Sequence, residues 1–125
     1  MRAGVELCHD ILFSVECIAQ HLGTLVIRGF ACLRQKEQDA ACYRLLIIGE
    51  AAKRLISHHP EGIEHVSTGE YDLLANLTGA ATRMRDRMIH RFWDTDHDKV
   101  LVTIRDDLPK LKDFIRRLGA TLVRP

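Results

Sequence analysis

Aromatic residues are scarce in this chain: one tryptophan, two tyrosines and four phenylalanines among 125 residues. With only three prolines and an abundance of alanine, leucine, arginine and isoleucine, the composition favours helix over sheet. No segment alternates apolar and polar residues for long enough to specify a strand. No sign of charge dominates either, because the formal net charge is +1. A polyanionic partner therefore has to be met by local clustering of basic residues, not by the field of the whole chain. Long apolar runs are missing too. The strongest, Leu45 to Ile48, is far short of the roughly 20 residues that span a bilayer. Ser14 and Glu16 interrupt the only stretch that resembles a secretory h-region. The cysteines Cys8, Cys17, Cys32 and Cys42 form no C-x-x-C pair, which predicts free thiols in a reducing compartment, not a disulfide framework or a zinc site. The expectation is one cytoplasmic domain over residues 1–125, with no membrane span and no metal.

The hydrophobic period of a helix is present instead. Val5, Cys8, Ile11, Leu12, Val15, Ile18, Ala19 and Leu22 hold it over residues 5–22. Ala41, Leu45, Ile48, Ala52 and Leu55 repeat it over 37–57, and His58, His59, Pro60 and Gly62 end that helix. Residues 63–69 read as a polar loop. A short helix over 70–78 and a stronger one over 80–93 follow. The last helix starts near Asp96, which suits an N-cap, and ends at Gly119. Pro109 is expected to kink or divide it, since proline removes a backbone donor and crowds the preceding turn. The pattern predicts an all-α, four- or five-helix up-and-down bundle. Gly49 costs its helix about 1 kcal/mol relative to alanine. A close helix–helix approach, within the chain or at a subunit contact, accounts for it.

Residues 83–96, RMRDRMIHRFWDTD, carry the candidate chemistry. On a wheel of about 100° per residue, Met84, Met88, Ile89, Phe92 and Trp93 share an apolar side. Arg83, Asp86, Arg87, His90, Arg91 and Asp94 share the other. Arg85 falls inside the apolar arc. A guanidinium keeps its proton, so burial there requires a phosphate, a carboxylate such as Glu50, or a subunit interface. His90 stands one turn from both Asp86 and Asp94, either of which can orient its ring or favour its charged form. Arg83, Arg87 and Arg91 make the stretch locally basic and suited to RNA phosphates. Histidine can move a proton between a ribose hydroxyl and a leaving oxygen while arginine stabilises phosphoryl charge, without a metal. Such chemistry needs the hydroxyl of RNA. Five residues separate Arg85 from His90, so they diverge by about 140° on an ideal helix. Either the helix ends near His90 or a two-fold dimer completes one cleft. Each residue also has an ordinary reading: Arg85 as an ion-pair partner of Glu50, His90 as a surface histidine, Asp86 as an i,i+4 charge partner, and His58, His59 and His65 as helix-end residues.

These residues resemble the HEPN family, in particular its HepT-like ribonuclease-toxin branch. The family signature is an arginine, a polar residue, three more residues and a histidine, matched by Arg85, Asp86 and His90. The branch often has asparagine where Asp86 stands. Its H-x-Y-x-x-x-D pattern corresponds to His90, Phe92 and Asp96. IIGEAAKRL (Ile47 to Leu55) looks like the branch's second helix and DLPKLKDFI (Asp107 to Ile115) like its last. The resemblance covers about residues 36–118. It implies a helical bundle, a homodimer with the motif at a shared cleft, and metal-independent cleavage of RNA, either tRNA or mRNA, without a cofactor. Arg85, His90 and Asp86 would be catalytic, and Arg83, Arg87 and Arg91 would bind RNA. It also implies a toxin–antitoxin pair whose antitoxin is a minimal nucleotidyltransferase, which in some systems modifies the motif's tyrosine with AMP. Phe92 has no hydroxyl and cannot be modified that way. The alternatives are a catalytically inactive HEPN-like protein-interaction module and a nucleotide- or polyanion-binding helical domain without turnover.

Overall fold

The computed structural model describes residues 3–22, 35–90 and 97–123, and no strand occurs among them. Helix α1 (Gly4–Leu22) and α2 (Gln35–His58) are followed by a single turn, α3 (Pro60–Ile63), then α4 (Thr68–His90), α5 (His97–Val102) and α6 (Leu108–Val123). Helix α2 is central: it packs on α1 on one side and on α4 on the other, and α6 closes against α1. The all-α bundle expected from the sequence is what forms.

The apolar stripes explain the packing. Leu7, Cys8, Ile11, Val15 and Ile18 of α1 meet Ala41, Cys42, Leu45, Ile48, Ala52 and Leu55 of α2 in one core. The buried stripe of α1 is rotated slightly from the expected one, since Leu7 is buried and Ala19 exposed. Burial pushes the Cys8 and Cys42 thiols up to about 11, so both stay protonated and unreactive at neutral pH. Cys17 is also a free thiol, and Cys32 lies outside the described residues. Ser14 is fully buried, and its Oγ has no hydrogen-bond partner among the described residues. An unsatisfied buried hydroxyl costs about 1–3 kcal/mol. Ser14→Ala is therefore expected to stabilise the fold by about 1 kcal/mol, readable as a higher urea midpoint at unchanged slope. A lower midpoint would contradict this account.

Helix α4 departs from the expectation of two helices over 70–78 and 80–93. It is continuous, with Gly79 in its interior. A single interior glycine costs only about 1 kcal/mol, and burial of Leu74, Leu77 and Ala81 on both sides of it outweighs that. The helix also starts inside the expected loop. Ser67 Oγ accepts from the Glu70 backbone N–H at 3.1 Å, and the Glu70 carboxylate accepts from the Ser67 N–H at 2.9 Å. This reciprocal capping box satisfies two donors that a helix start leaves open. The Ser67 N–H, first among the causes, and then Arg117 hold the Glu70 carboxyl below its ordinary range.

Pro109 does divide the last helix. Between α5 and α6 the backbone widens into a π-helical turn over Thr103–Asp107, and the Leu108 N–H bonds the Thr103 carbonyl five residues back. A proline has no N–H to continue the ordinary ladder, and one extra residue in the turn relieves the crowding ahead of its ring. Asp96, the expected N-cap, lies outside the described residues. Among those residues, no helix is long and apolar enough to cross a membrane.

Gly49 is placed by a close approach within the chain, not by a subunit contact. A Cβ built there would lie 2.1 Å from the Ala81 Cβ and 2.9 Å from the Leu77 carbonyl oxygen. Helices α2 and α4 touch nearly backbone to backbone at this point. The contact brings Glu50, the next residue on α2, to the side of α4 that carries Arg85.

Candidate active site on α4

The C-terminal half of α4 presents two different sides. The core line Leu74, Leu77, Ala81 and Met84 has Arg85 beside it, turned toward α2. There the Arg85 guanidinium donates to the Glu50 carboxylate. The pair is not sequestered, because the Arg85 side chain is 49% exposed and that of Glu50 33%. Both line a groove that also holds Asp10, Ile47 and Arg54. Arg85 therefore has the carboxylate partner that its place in the apolar arc demanded, but it remains open to solvent. The ordinary reading of Arg85 as an ion-pair partner of Glu50 describes this chain correctly and leaves the guanidinium's outer edge available.

Arg83 and Arg87 leave α4 on the opposite side and line a pocket against Lys99 and Val100 of α5. His90 follows on that same face. Its Nε2 lies 3.7 Å from the Asp86 carboxylate one turn before it, and both side chains are well exposed. That distance allows the pairing read from the spacing, but loosely, and in an exposed setting such a pair is weak. Helix α4 extends to His90, so an early helix end does not remove the divergence of about 140° from Arg85. Within one chain His90 is grouped with Asp86, Arg83 and Arg87, and Arg85 stands apart with Glu50. Arg91, Phe92, Trp93 and Asp94 lie outside the described residues.

The expected apolar side of this segment needs correction. Met84 packs against the core, but Met88 is 41% and Ile89 67% exposed. Met88 continues the core line at regular helical spacing, yet its side chain is left open. The two apolar side chains flank Arg85 on the wheel and lie open beside it. Glu50 was legible only as a possible partner of Arg85. Gly49, the small residue just before it, is the signal that marks where two helices come close enough to pair them.

Comparison with known proteins bears on the family of the chain. The family model described as "Ribonuclease HepT-like" matches residues 11–118, which adds most of α1 to the segments singled out above. A protein of Thermococcus cleftensis named "Probable ribonuclease HepT" is 28% identical over 121 residues, covering 94% of this chain and 96% of its own length. A Methanocaldococcus jannaschii protein named "Gamma-glutamylcyclotransferase and putative RNase" is 29% identical over 119 residues, and this chain spans only 49% of it. No solved structure matches the chain. The fold, the segments that carry the motif and the extent of the family match lead to one assignment: the chain belongs to the HepT-like ribonuclease family.

Proposed function

We propose that this protein is a metal-independent endoribonuclease acting as a homodimer, and the toxin of a toxin–antitoxin pair. The observation that carries the reading is the exposed apolar pair Met88 and Ile89 beside a solvent-accessible, carboxylate-held Arg85. Exposed apolar side chains next to a functional arginine suit a self-complementary contact. A two-fold contact through this surface supplies Arg85 of one protomer and His90 of the other to one cleft.

In that cleft His90 removes the proton of a ribose 2′-hydroxyl, and the oxygen attacks the adjacent phosphorus. The bond to the 5′-oxygen breaks, and the proton held by His90 returns to that leaving oxygen. A cyclic phosphate and a free 5′-hydroxyl result. Arg85 stabilises the charge that gathers on the phosphoryl oxygens, and Asp86 orients the His90 ring. Arg83, Arg87 and Arg91 hold flanking phosphates. The partner expected from the family resemblance is a minimal nucleotidyltransferase, which neutralises the toxin by a route that does not use a tyrosine at Phe92. The direct test is cleavage of tRNA and mRNA in EDTA by purified dimer. Wild type is expected to cut and His90→Ala to leave RNA intact. A folded wild-type dimer that leaves both RNAs whole would overturn the reading.

A further inference from the structure

The outward face of α2, between its contacts with α1 and α4, carries the groove that holds Arg85. Ile47, Glu50 and Arg54 line that groove, and Tyr43 continues the same face one turn before Ile47. Arg44 lies beside Tyr43 and reaches across to α1. Its guanidinium carbon stands 5.1 Å from the centre of the Phe13 ring and 5.5 Å from that of Tyr43, so one cation bridges rings on two helices. Phe13 is 61% and Tyr43 55% exposed, the most open aromatic rings among the described residues. Beside them a cleft of about 450 Å³ has Ile18 of α1 and Ala40 of α2 in its wall, together with Lys36, Glu37 and Arg44. Two turns of α2, about 10 Å, separate Tyr43 from Glu50. A strand whose phosphate meets Arg85 covers that distance in a few nucleotides, at about 3.4 Å each when stacked. Every nucleobase presents a π-face, so an open ring can hold one without reading its identity. An arginine over the ring adds a planar cation that attracts both base and phosphate. The acidic side chains nearby are already engaged, Glu50 by Arg85 and Asp10 and Glu37 by partners of their own.

We propose that Phe13, Arg44 and Tyr43 form a stacking subsite for unpaired RNA bases, to one side of the phosphate bound at Arg85. The place of that phosphate is taken from the ribonuclease reading, on which this subsite rests. Unpaired bases lie against the open ring faces, and Arg44 contacts the backbone between them. Arg83 and Arg87 leave α4 on its other side and serve a different part of the strand. Bases within a duplex are stacked on one another and have no face to offer the rings. The subsite therefore makes the protein select single-stranded segments, and it does so by ring contact instead of by hydrogen bonds that read sequence.

The test is binding of a short unstructured RNA to full-chain His90→Ala protein in EDTA, followed by fluorescence anisotropy. Adding Phe13→Ala or Tyr43→Ala, each checked for an unchanged melting temperature, is expected to weaken binding about tenfold. Phe13→Trp and Tyr43→Phe keep a ring and are expected to bind as before. A series of RNAs, each lacking one base, reads the contact from the other side. Loss of one particular base is expected to cost a similar factor against intact rings and little once the ring beneath it is gone, a coupling that a merely structural role would not produce. The same sequence annealed into a duplex is expected to bind more weakly and to ignore both alanine substitutions. RNA binding indifferent to both rings, or no RNA binding at all, overturns the proposal. So does loss of the dimer in either alanine variant, read by sedimentation, because the rings would then belong to a subunit contact. Wild type that cuts RNA while binding ignores the rings sinks the subsite alone. Wild type that cuts nothing while the coupling holds sinks the ribonuclease reading and leaves the subsite standing.

Discussion

Mixing Arg85→Ala protein with His90→Ala protein is expected to restore RNA cleavage that neither variant has alone. In the proposed chemistry, each substitution by itself removes a group that acts directly on the reacting atoms. The loss expected for either a positioned acid–base residue or a phosphoryl-stabilising arginine is about 10²–10⁴-fold. The two side chains leave α4 about 140° apart, and Arg85 is turned to Glu50 on α2 while His90 pairs loosely with Asp86. If each cleft takes Arg85 from one protomer and His90 from the other, a mixed dimer holds one intact cleft and one doubly defective one. Random exchange makes about half the dimers mixed, so activity should recover to about a quarter of wild type. The variants would be unfolded together, refolded, and assayed on labelled RNA in EDTA. If both groups act within a single protomer, no mixture regains activity. That result would sink the shared-cleft geometry while leaving the chemistry of the individual residues standing.

Gly49→Ala is expected to be among the most destabilising single-methyl changes in the chain. Alanine returns about 1 kcal/mol of helix propensity, which at an ordinary helix position would make the change favourable. Here the new methyl would sit 2.1 Å from the Ala81 Cβ and 2.9 Å from the Leu77 carbonyl oxygen. Neither atom belongs to a flexible side-chain end, so α2 and α4 must separate. Overpacking of this kind costs about 1–3 kcal/mol and more where backbone must move. The clash outweighs the propensity gain, and a net loss of about 2 kcal/mol lowers the melting temperature by about 8 °C. Adding Ala81→Gly removes the worst contact and should recover part of the loss. Circular dichroism at the helix band reads both. A Gly49→Ala protein that melts with the wild type would show that the two helices do not meet at this point.

The long helices were legible because each has to bury a stripe, and a stripe at a period of 3.6 survives in the sequence without reference to its neighbours. The rotation of α1 toward Leu7 was not, since it depends on which helices lie alongside. The continuity of α4 through Gly79 was not legible either, since it rests on the burial of Leu74, Leu77 and Ala81 on both sides of it. The Ser67–Glu70 box was written plainly enough in the sequence to start α4 inside the loop, had its spacing been read. The motif pair Arg85 and His90 was legible, as was the angular conflict between them. What was not legible was the exposure of Met88. A periodic apolar residue looks the same in sequence whether a neighbouring side chain covers it or leaves it open.

The contact between Glu50 and Arg85 also bears on how the arginine would meet the substrate of the proposed reaction. An arginine side chain free to rotate carries about 2 kcal/mol of rotamer entropy, which a ligand ordinarily has to remove as it binds. In this protein part of that freedom is surrendered during folding, when the close passage of α2 across α4 sets Glu50 against the guanidinium. Five N–H donors fan out from that plane, and a carboxylate at one edge leaves the others aimed outward. An incoming phosphate would then find a fork that is already oriented. Two small residues at a helix crossing, Gly49 and Ala81, would in this way govern the alignment of a charged group they never touch.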